Sequence, residues 1–422
     1  MAHLLRQTAR AVASPRLSRA FNIMRDTGTN YKLKTFNAIS PVGLEKYPRD
    51  KYEVSSECTD AKAIMLRSHK LQVEEVEPTV RAVARCGAGV NNIPIDTMTE
   101  MGVCVFNTPG ANANAVKELV LCGMLLCARD VAGGAAWSRS HTETDPAKLA
   151  KDVESAKKQF GGMEIAGKTL GVIGLGNIGQ QVVEAAAALG MNCVVYDPHL
   201  TLDQAFRMDS ANTDRVDSVQ GVVSRADFLS IHVPFIAGVT ENIVSADMVA
   251  LMKTGAHVLN FSRGGLIDEE ALIARFEADG AAAGRYCTDF PSVQFKEHAN
   301  VISLPHLGAS TAEAEEQSAA MAAVQLRDFL ENGSIKNSVN FPECIVAPKQ
   351  QGHQRLCIAN RNIEGTLSNI TADLAGLNVA EMINKSRGDV AYTVIDIEGE
   401  VSDDVIHKIE EDTEVLNVRV IS

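Results

Sequence analysis

The chain has 422 residues, 45% of them apolar and 22% charged, and that length predicts two to four packed domains rather than one. A formal net charge of -13 argues against a nucleic-acid partner, because a phosphate backbone demands clustered Lys and Arg. No apolar run approaches the ~18 residues a membrane span needs, so no membrane partner is expected. The nine cysteines are scattered and include no CxxC pair; this suits reduced, buried thiols in an intracellular protein and predicts no metal site.

The first 25 residues carry Arg6, Arg10, Arg16, Arg19 and Arg25 among Leu, Ala and Val, with no acid before Asp26. Such a basic amphipathic segment resembles an organellar transit peptide, and "RAFN" resembles a matrix-type cleavage context. Residues 1–24 are therefore expected to be removed on entry to a mitochondrion. The alternatives are a plastid, or a cytoplasmic protein with a ragged basic N-terminus.

Short strands "AIMLRS" (63–68), "VRAVARCGAGV" (80–90) and "GVCVFNTPG" (102–110) precede a long apolar helix at 115–131, and predict an α/β domain. The polar stretch 138–162 reads as an exposed connection with some helix. Strand and helix then alternate: "KTLGVIGLG", a helix to Leu189, "NCVVYD", a helix around 213–224, "ADFLSIHVP", a helix near 245–252, "AHVLNFS", a helix at 268–278, "AGRYCTDFP" and "NVISLPH". That order predicts a parallel sheet covered on both faces. A helix at 311–333 stops at Asn332–Gly333. The Pro-containing stretch 338–353 reads as a linker. The last ~70 residues run βαββαβ, the ferredoxin-like plan.

"GLGNIG" places Gly174, Gly176 and Gly179 at GxGxxG spacing directly after an apolar strand. The first glycine permits a tight turn, the second lets the backbone approach a pyrophosphate, and the third lets helix and strand pack closely. Asp197 ends the next strand about 20 residues on, where it would bond ribose hydroxyls and repel a 2′-phosphate. The expected cofactor is NAD. Arg263, in "NFSRGGL", and His306, in "LPHLGAS", each follow a strand of the same sheet, where ligands of parallel sheets bind. Together they suit hydride transfer. The guanidinium holds a 2-oxo acid carboxylate, and the imidazole moves the proton on oxygen.

"GVIGLGNIG…VVYDP", "NFSRGGLIDEEAL" and "PHLGAST", with "AVARCGAGVNNI" and "GVCVFNTPGANANAVKELV", closely resemble the D-2-hydroxyacid dehydrogenase family over roughly residues 25–422. The resemblance implies a Rossmann-type NAD domain (124–308) inserted into a flavodoxin-like substrate domain (25–123 and 309–341). A linker (342–352) and a C-terminal ferredoxin-like ACT domain (353–422) would follow. It gives Asn177, Ile178, Phe261, Ser262 and Gly308 to the cofactor. The loop Arg67–Ser68 would meet a substrate phosphate, and the turn Gly87–Ala88–Gly89, with Asn91 nearby, a substrate carboxylate. The implied reaction is NAD-dependent oxidation of 3-phosphoglycerate to 3-phosphohydroxypyruvate, which opens serine synthesis. The implied assembly is a homodimer or homotetramer.

Two departures from the family pattern stand out. Matching Phe290–Pro291 puts Val293 where the family carries a Glu paired with the histidine, leaving Asp289 and Glu297 as the nearest carboxylates. Asp289 is expected either to contact the nicotinamide carboxamide or to partner His306. In the C-terminal unit, Asn360 stands at a usual His position and Glu364 at a usual Pro. The resemblance gives Asn360, as the altered contact, with Asn362 and Asn378, as matching ones, to an L-serine effector; the other reading is a domain that only dimerises. Alternative functions are a dehydrogenase of another 2-hydroxy acid (glyoxylate/hydroxypyruvate or 2-oxoglutarate) and, in a different class, an NAD-sensing protein related to corepressors.

Overall fold

The computed structural model describes residues 25–200 and 212–422; the candidate transit peptide lies outside the described residues. The chain divides into two units: residues up to Thr108 together with Ser318–Ser422, and Pro109–Gln317. The boundary thus falls inside the helix Ala312–Asn332.

In the first unit, β1 (Arg25–Asp26) is followed by β2 (Tyr31–Phe36), β3 (Tyr52–Ser55), β4 (Ala63–Leu66), β5 (Ala82–Arg85) and β6 (Cys104–Phe106). Strands β2 to β6 form a parallel sheet in the order β3-β2-β4-β5-β6, the flavodoxin-like arrangement. All four residues of β4 are buried, as expected of a strand covered on both faces.

The second unit holds β7 (Thr169–Ile173), β8 (Asn192–Tyr196), β9 (Thr213–Arg215), β10 (Phe228–Ile231), β11 (His257–Asn260), β12 (Tyr286–Thr288) and β13 (Val301–Ser303). They pair in parallel in the order β13-β12-β11-β10-β7-β8-β9, the doubly wound nucleotide fold. The strand order reverses at β7, where a ligand crevice forms outside the carboxyl ends. The helix Ala113–Ala128 packs against β11, β12 and the helix Asn177–Ala188. Its Gly123 allows that approach, since a Cβ there would lie 2.7 Å from the Phe261 ring. The helix expected around 213–224 is corrected. Thr213–Arg215 extends the sheet as edge strand β9, and only Val219–Val223 is helical, capped by Ser218 Oγ accepting from the Gly221 N–H at 3.2 Å. An edge strand buries little, so its sequence carries no apolar alternation.

The C-terminal part of the first unit runs β14 (His353–Arg361), helix Thr366–Asp373, β15 (Val379–Arg387), β16 (Val390–Glu398), helix Asp403–Glu411 and β17 (Val415–Ile421). The sheet order is β1-β17-β14-β16-β15. It is the ferredoxin-like order with one addition, β1, which joins β17 in parallel through Arg25↔Val420 and Asp26↔Ile421. Alternation along each strand sorts the two faces. Leu356, Ile358, Ile395 and Val420 meet Ile370 and Ile406 of the two helices. Cys357, Ala359, Tyr392 and Val394 share a core with Phe329, Leu330 and Phe106 of the flavodoxin-like part. The stretch 342–352, read as a linker, is pinned to this core. Cys344 is 1% exposed, and it exchanges N–H to C=O bonds with Ile335 at 2.8 and 2.9 Å.

Candidate active site

Gly174 closes β7 with φ +94°, and a Cβ there would lie 2.5 Å from the His232 carbonyl oxygen. At Gly179 a Cβ would lie 2.0 Å from the Gly174 carbonyl oxygen, so the helix starting at Asn177 can sit only on glycine. A Cβ at Gly176 meets nothing within 4 Å. The backbone is therefore open where a pyrophosphate would lie, at the positive end of a helix of 12 residues. Asn177 faces the turn at Gly110, where a Cβ would come 2.8 Å from its amide nitrogen; Ile178 packs against the unit's apolar core. The Asp197 carboxylate accepts from the Leu175 N–H at 2.7 Å and the His199 N–H at 2.8 Å. It thus braces the glycine turn from the tip of β8. These residues fit NAD: the glycine cradle, the helix terminus and the Asp197 carboxylate lie together at the carboxyl ends of β7 and β8.

His232, which the sequence reading passed over, follows β10 beside that turn. Its Nε2 lies 2.8 Å from Ser230 Oγ, and its Nδ1 has no hydrogen-bond partner among the described residues. Burial pushes the imidazole down to about 4, so it is neutral near pH 7. A polar residue directly after a buried strand was the available signal.

Arg263 is exposed at the carboxyl end of β11. Asn260, 1% exposed, holds its loop: the side-chain amide donates to the Arg263 carbonyl at 2.8 Å and accepts from the Ser262 N–H at 3.2 Å. Ser262 Oγ donates to the Ile231 carbonyl at 2.8 Å, and Phe261 is buried in the sheet's core. His306 is also exposed, just beyond β13, with φ +56°. Its ring meets Phe290 edge-on with centroids 4.9 Å apart. The Asp289 carboxylate, 1% exposed, accepts from the Leu307 and Gly308 N–H groups, both at 2.7 Å. Among the described residues no carboxylate hydrogen-bonds the His306 ring. Val293 is 91% exposed, and Glu297 is exposed beside Lys296.

In the first unit, Arg67 and Ser68 follow β4. Asn37 Oδ1 accepts from the Ser68 and His69 N–H groups at 3.0 and 2.7 Å. The Arg67 carbonyl accepts from Arg85 Nε and Asn92 Nδ2, both at 3.2 Å. Gly87 has φ +148°, and a Cβ there would lie 2.3 Å from an Arg85 guanidinium nitrogen. Only glycine lets that guanidinium lie over the turn Gly87–Gly89. The Gly87 carbonyl accepts from the Thr108 N–H at 3.1 Å, and the Ala88 carbonyl from Asn107 Nδ2 at 2.6 Å. Arg67, Ser68 and the turn are therefore brought together with a second cation, Arg85, that the sequence reading missed. Asn91 is exposed; its neighbour Asn92 makes the loop contacts.

The three asparagines read as effector contacts are each engaged within the C-terminal sheet. Asn360, 3% exposed, donates to the Arg361 carbonyl at 2.8 Å. Asn362 donates to the Gly388 carbonyl at 3.0 Å, and Asn378 to the Glu398 carboxylate.

A family model described as the NAD binding domain of D-isomer specific 2-hydroxyacid dehydrogenase matches residues 122–308. The D-3-phosphoglycerate dehydrogenase of Haemophilus influenzae is 31% identical over 412 residues, covering 92% of this chain and 94% of that protein. That of Methanocaldococcus jannaschii is 36% identical over 300 residues, covering 69% of this chain and 54% of that protein. The chain thus spans about half the length of that relative, and 57% of the D-3-phosphoglycerate dehydrogenase of Synechocystis sp.. Among solved structures, an NAD+-bound 3-phosphoglycerate dehydrogenase of Entamoeba histolytica aligns with a TM-score of 0.57 at 25% identity, covering 74% of this chain and 99% of that one. The chain belongs to the D-isomer-specific 2-hydroxyacid dehydrogenase family, whose nucleotide domain binds NAD.

Proposed function

We propose that the chain oxidises 3-phosphoglycerate to 3-phosphohydroxypyruvate with NAD. The observation that carries this reading is the pair of exposed cationic and imidazole side chains, Arg263 and His306, at the carboxyl ends of β11 and β13 in the sheet whose β7 ends in the glycine turn. NAD, when bound, supplies the acceptor for the hydride that leaves C2. Arg263 fixes the substrate carboxylate and polarises the oxygen on C2. The His306 imidazole takes the hydroxyl proton as the carbonyl forms and returns it in the reduction direction. The nearness of Arg67, Ser68 and the Arg85 guanidinium supports a phosphorylated substrate, because two cationic residues on adjoining loops suit a dianion better than an uncharged end group.

The test is NADH consumption with phosphohydroxypyruvate against hydroxypyruvate, glyoxylate and 2-oxoglutarate. A preference for phosphohydroxypyruvate of 100-fold or more in kcat/KM is expected. Equal rates with the unphosphorylated acids would overturn the substrate, and no turnover with any of them would favour an NAD-binding sensor. The same reading carries L-serine as an effector at the C-terminal sheet, a homodimer or homotetramer, and import into a mitochondrion. Inhibition on serine titration, sedimentation, and the N-terminal residue of the protein isolated from its organelle check these in turn.

A further inference from the structure

We infer that Asn37 is a positioning residue of the substrate loop: its side-chain amide holds the Arg67–Ser68 backbone in the pose that meets the substrate's phosphate. The inference rests on the reading of that loop as the phosphate contact. In the sheet order β3-β2-β4-β5-β6, the loop leaves β4, and the strand on either side of β4 is followed by an asparagine that reaches it. From the end of β2, Asn37 Oδ1 accepts the Ser68 and His69 N–H groups at 3.0 and 2.7 Å. From the loop after β5, Asn92 Nδ2 donates to the Arg67 and His69 carbonyls at 3.2 and 2.7 Å. One amide thus takes two donors of the loop and the other takes two of its acceptors. An amide oxygen has two lone pairs, so the two N–H bonds fill Asn37 Oδ1.

The backbone explains the residue type. Asn37 stands at φ +67°, in the left-handed region where asparagine is among the few non-glycine residues at ease. A glycine would supply the turn without an acceptor, and a threonine an oxygen without the turn. Phe36, one residue earlier, completes the hold. Its ring lies flat against the His69 imidazole, with centroids 4.3 Å apart and planes 5° from parallel. The imidazole Nε2 lies 2.9 and 3.0 Å from the two oxygens of Glu75, whose carboxylate also accepts the Gln72 N–H at 2.8 Å. The Ser68 and His69 N–H groups, which in an open loop would be anion donors, are engaged by Asn37. The loop therefore meets a phosphate through the Arg67 and Ser68 side chains, and their placement depends on the backbone that Asn37 holds. A loop ordered before binding does not have to be ordered by the ligand, so its loosening is expected in substrate affinity rather than in the chemical step.

Asn37→Gly and Asn37→Asp, both in the full chain, test this. Glycine keeps the left-handed turn and removes the acceptor; aspartate keeps both and adds a charge. In Asn37→Gly, deuterium uptake of residues 67–70 is expected to quicken about tenfold while the rest of the chain is unchanged. KM for phosphohydroxypyruvate should rise about tenfold with kcat within about threefold of the parent, the pattern of binding lost outside the chemical step. KM for hydroxypyruvate, which has no phosphate, should stay within about twofold, as should the NADH dissociation constant. In Asn37→Asp, uptake of residues 67–70 should match the parent, and KM should rise for phosphohydroxypyruvate alone, through repulsion of its phosphate. Parent-rate uptake in Asn37→Gly would overturn the inference, as would a KM that rises equally for both acids or a fallen kcat with KM unmoved. If Asn37→Gly does not accumulate as folded protein, Asn37→Asp decides: quickened uptake there, or an equal rise in both KM values, overturns it. The exchange readout needs no substrate, so a parent without preference for phosphohydroxypyruvate would remove the substrate assignment and leave the hold on the loop to be judged by exchange.

Discussion

The Asp197 carboxylate accepts the Leu175 and His199 N–H groups at the strand end where this fold takes the adenosine ribose of its cofactor. Asp197→Ala is expected to weaken NADH binding about tenfold and NADPH binding far less, because only the latter gains from losing the repulsion of its 2′-phosphate; fluorescence titration of both cofactors checks it, and an unchanged ratio would detach Asp197 from cofactor choice. Two other residues of this unit respond to acid. Burial pushes His232 and His257 down to about 4, whereas an unfolded histidine titrates near ~6.5. Between those values the unfolded chain binds protons that the folded chain refuses. Stability should therefore be complete above pH ~6.5 and fall as the pH drops toward 4, by up to about 1.4 kcal/mol per unit for each group. His257 Nδ1 accepts the Arg285 N–H at 2.9 Å, a bond an asparagine oxygen can imitate. His257→Asn should accordingly show a shallower loss of urea midpoint between pH 7 and 5; parallel slopes would remove His257 from the acid response.

The helix Ala312–Asn332 shows how a single element depends on distant chain. A helix leaves its last four carbonyls without partners. Here three of them, and that of Gly333 just beyond the helix, are met by side chains from outside: Arg419 donates to the Phe329 and Leu330 carbonyls at 2.6 and 3.2 Å. Arg355 donates to that of Asn332 at 2.8 Å, and the Tyr392 hydroxyl to that of Gly333 at 3.0 Å. Two guanidiniums also oppose the negative end of the helix dipole, and Arg419 lies over the Phe329 ring at 4.4 Å. Arg355 is itself held by both oxygens of Asp396, at 2.6 and 2.7 Å. Arg355→Met would leave a buried carboxylate alone, and a loss of roughly 3–5 kcal/mol is expected. Arg355→Met with Asp396→Leu should recover most of it. Urea unfolding of both decides the matter, and equal losses would mean the ion pair is not the source. None of this was legible in sequence. The helix showed itself through its apolar period and its Asn332–Gly333 stop, and the glycine cradle through local spacing, but Arg419 acts on a carbonyl 90 residues away. Asn260, Arg85 and His232 escaped for the same reason: each is a lone polar residue whose partners are set by the sheet. Strand β1 is two residues long, too short to carry any period.

For the first unit taken whole, the C-terminal sheet is a wall of the core rather than an appendage. Its face with Cys357, Ala359, Tyr392 and Val394 is buried with Phe329, Leu330 and Phe106. Strand β1 then fastens it a second time. Arg25 donates to the Val401 carbonyl at 2.6 Å and pairs with Asp403, and buried Asp26 lies 3.5 Å from Arg419. The opposite edge, β15, is exposed along nearly its full length, so it is the edge of this sheet open to another strand. A chain stopped after Asn340 would expose that apolar face and strip the cap from the long helix together. Each lost carbonyl partner costs about 1 kcal/mol, and each large apolar side chain returned to water about 1.5–3 kcal/mol. Against a total stability of ~5–15 kcal/mol for a domain, the truncated chain should aggregate, or bind a hydrophobic dye at temperatures where the full chain does not. Its nucleotide unit, whose core is separate, should still bind NADH if it stays soluble. A truncated protein as stable as the parent would show that the seam contributes little, and that the C-terminal sheet could be lifted off without consequence for the rest of the fold.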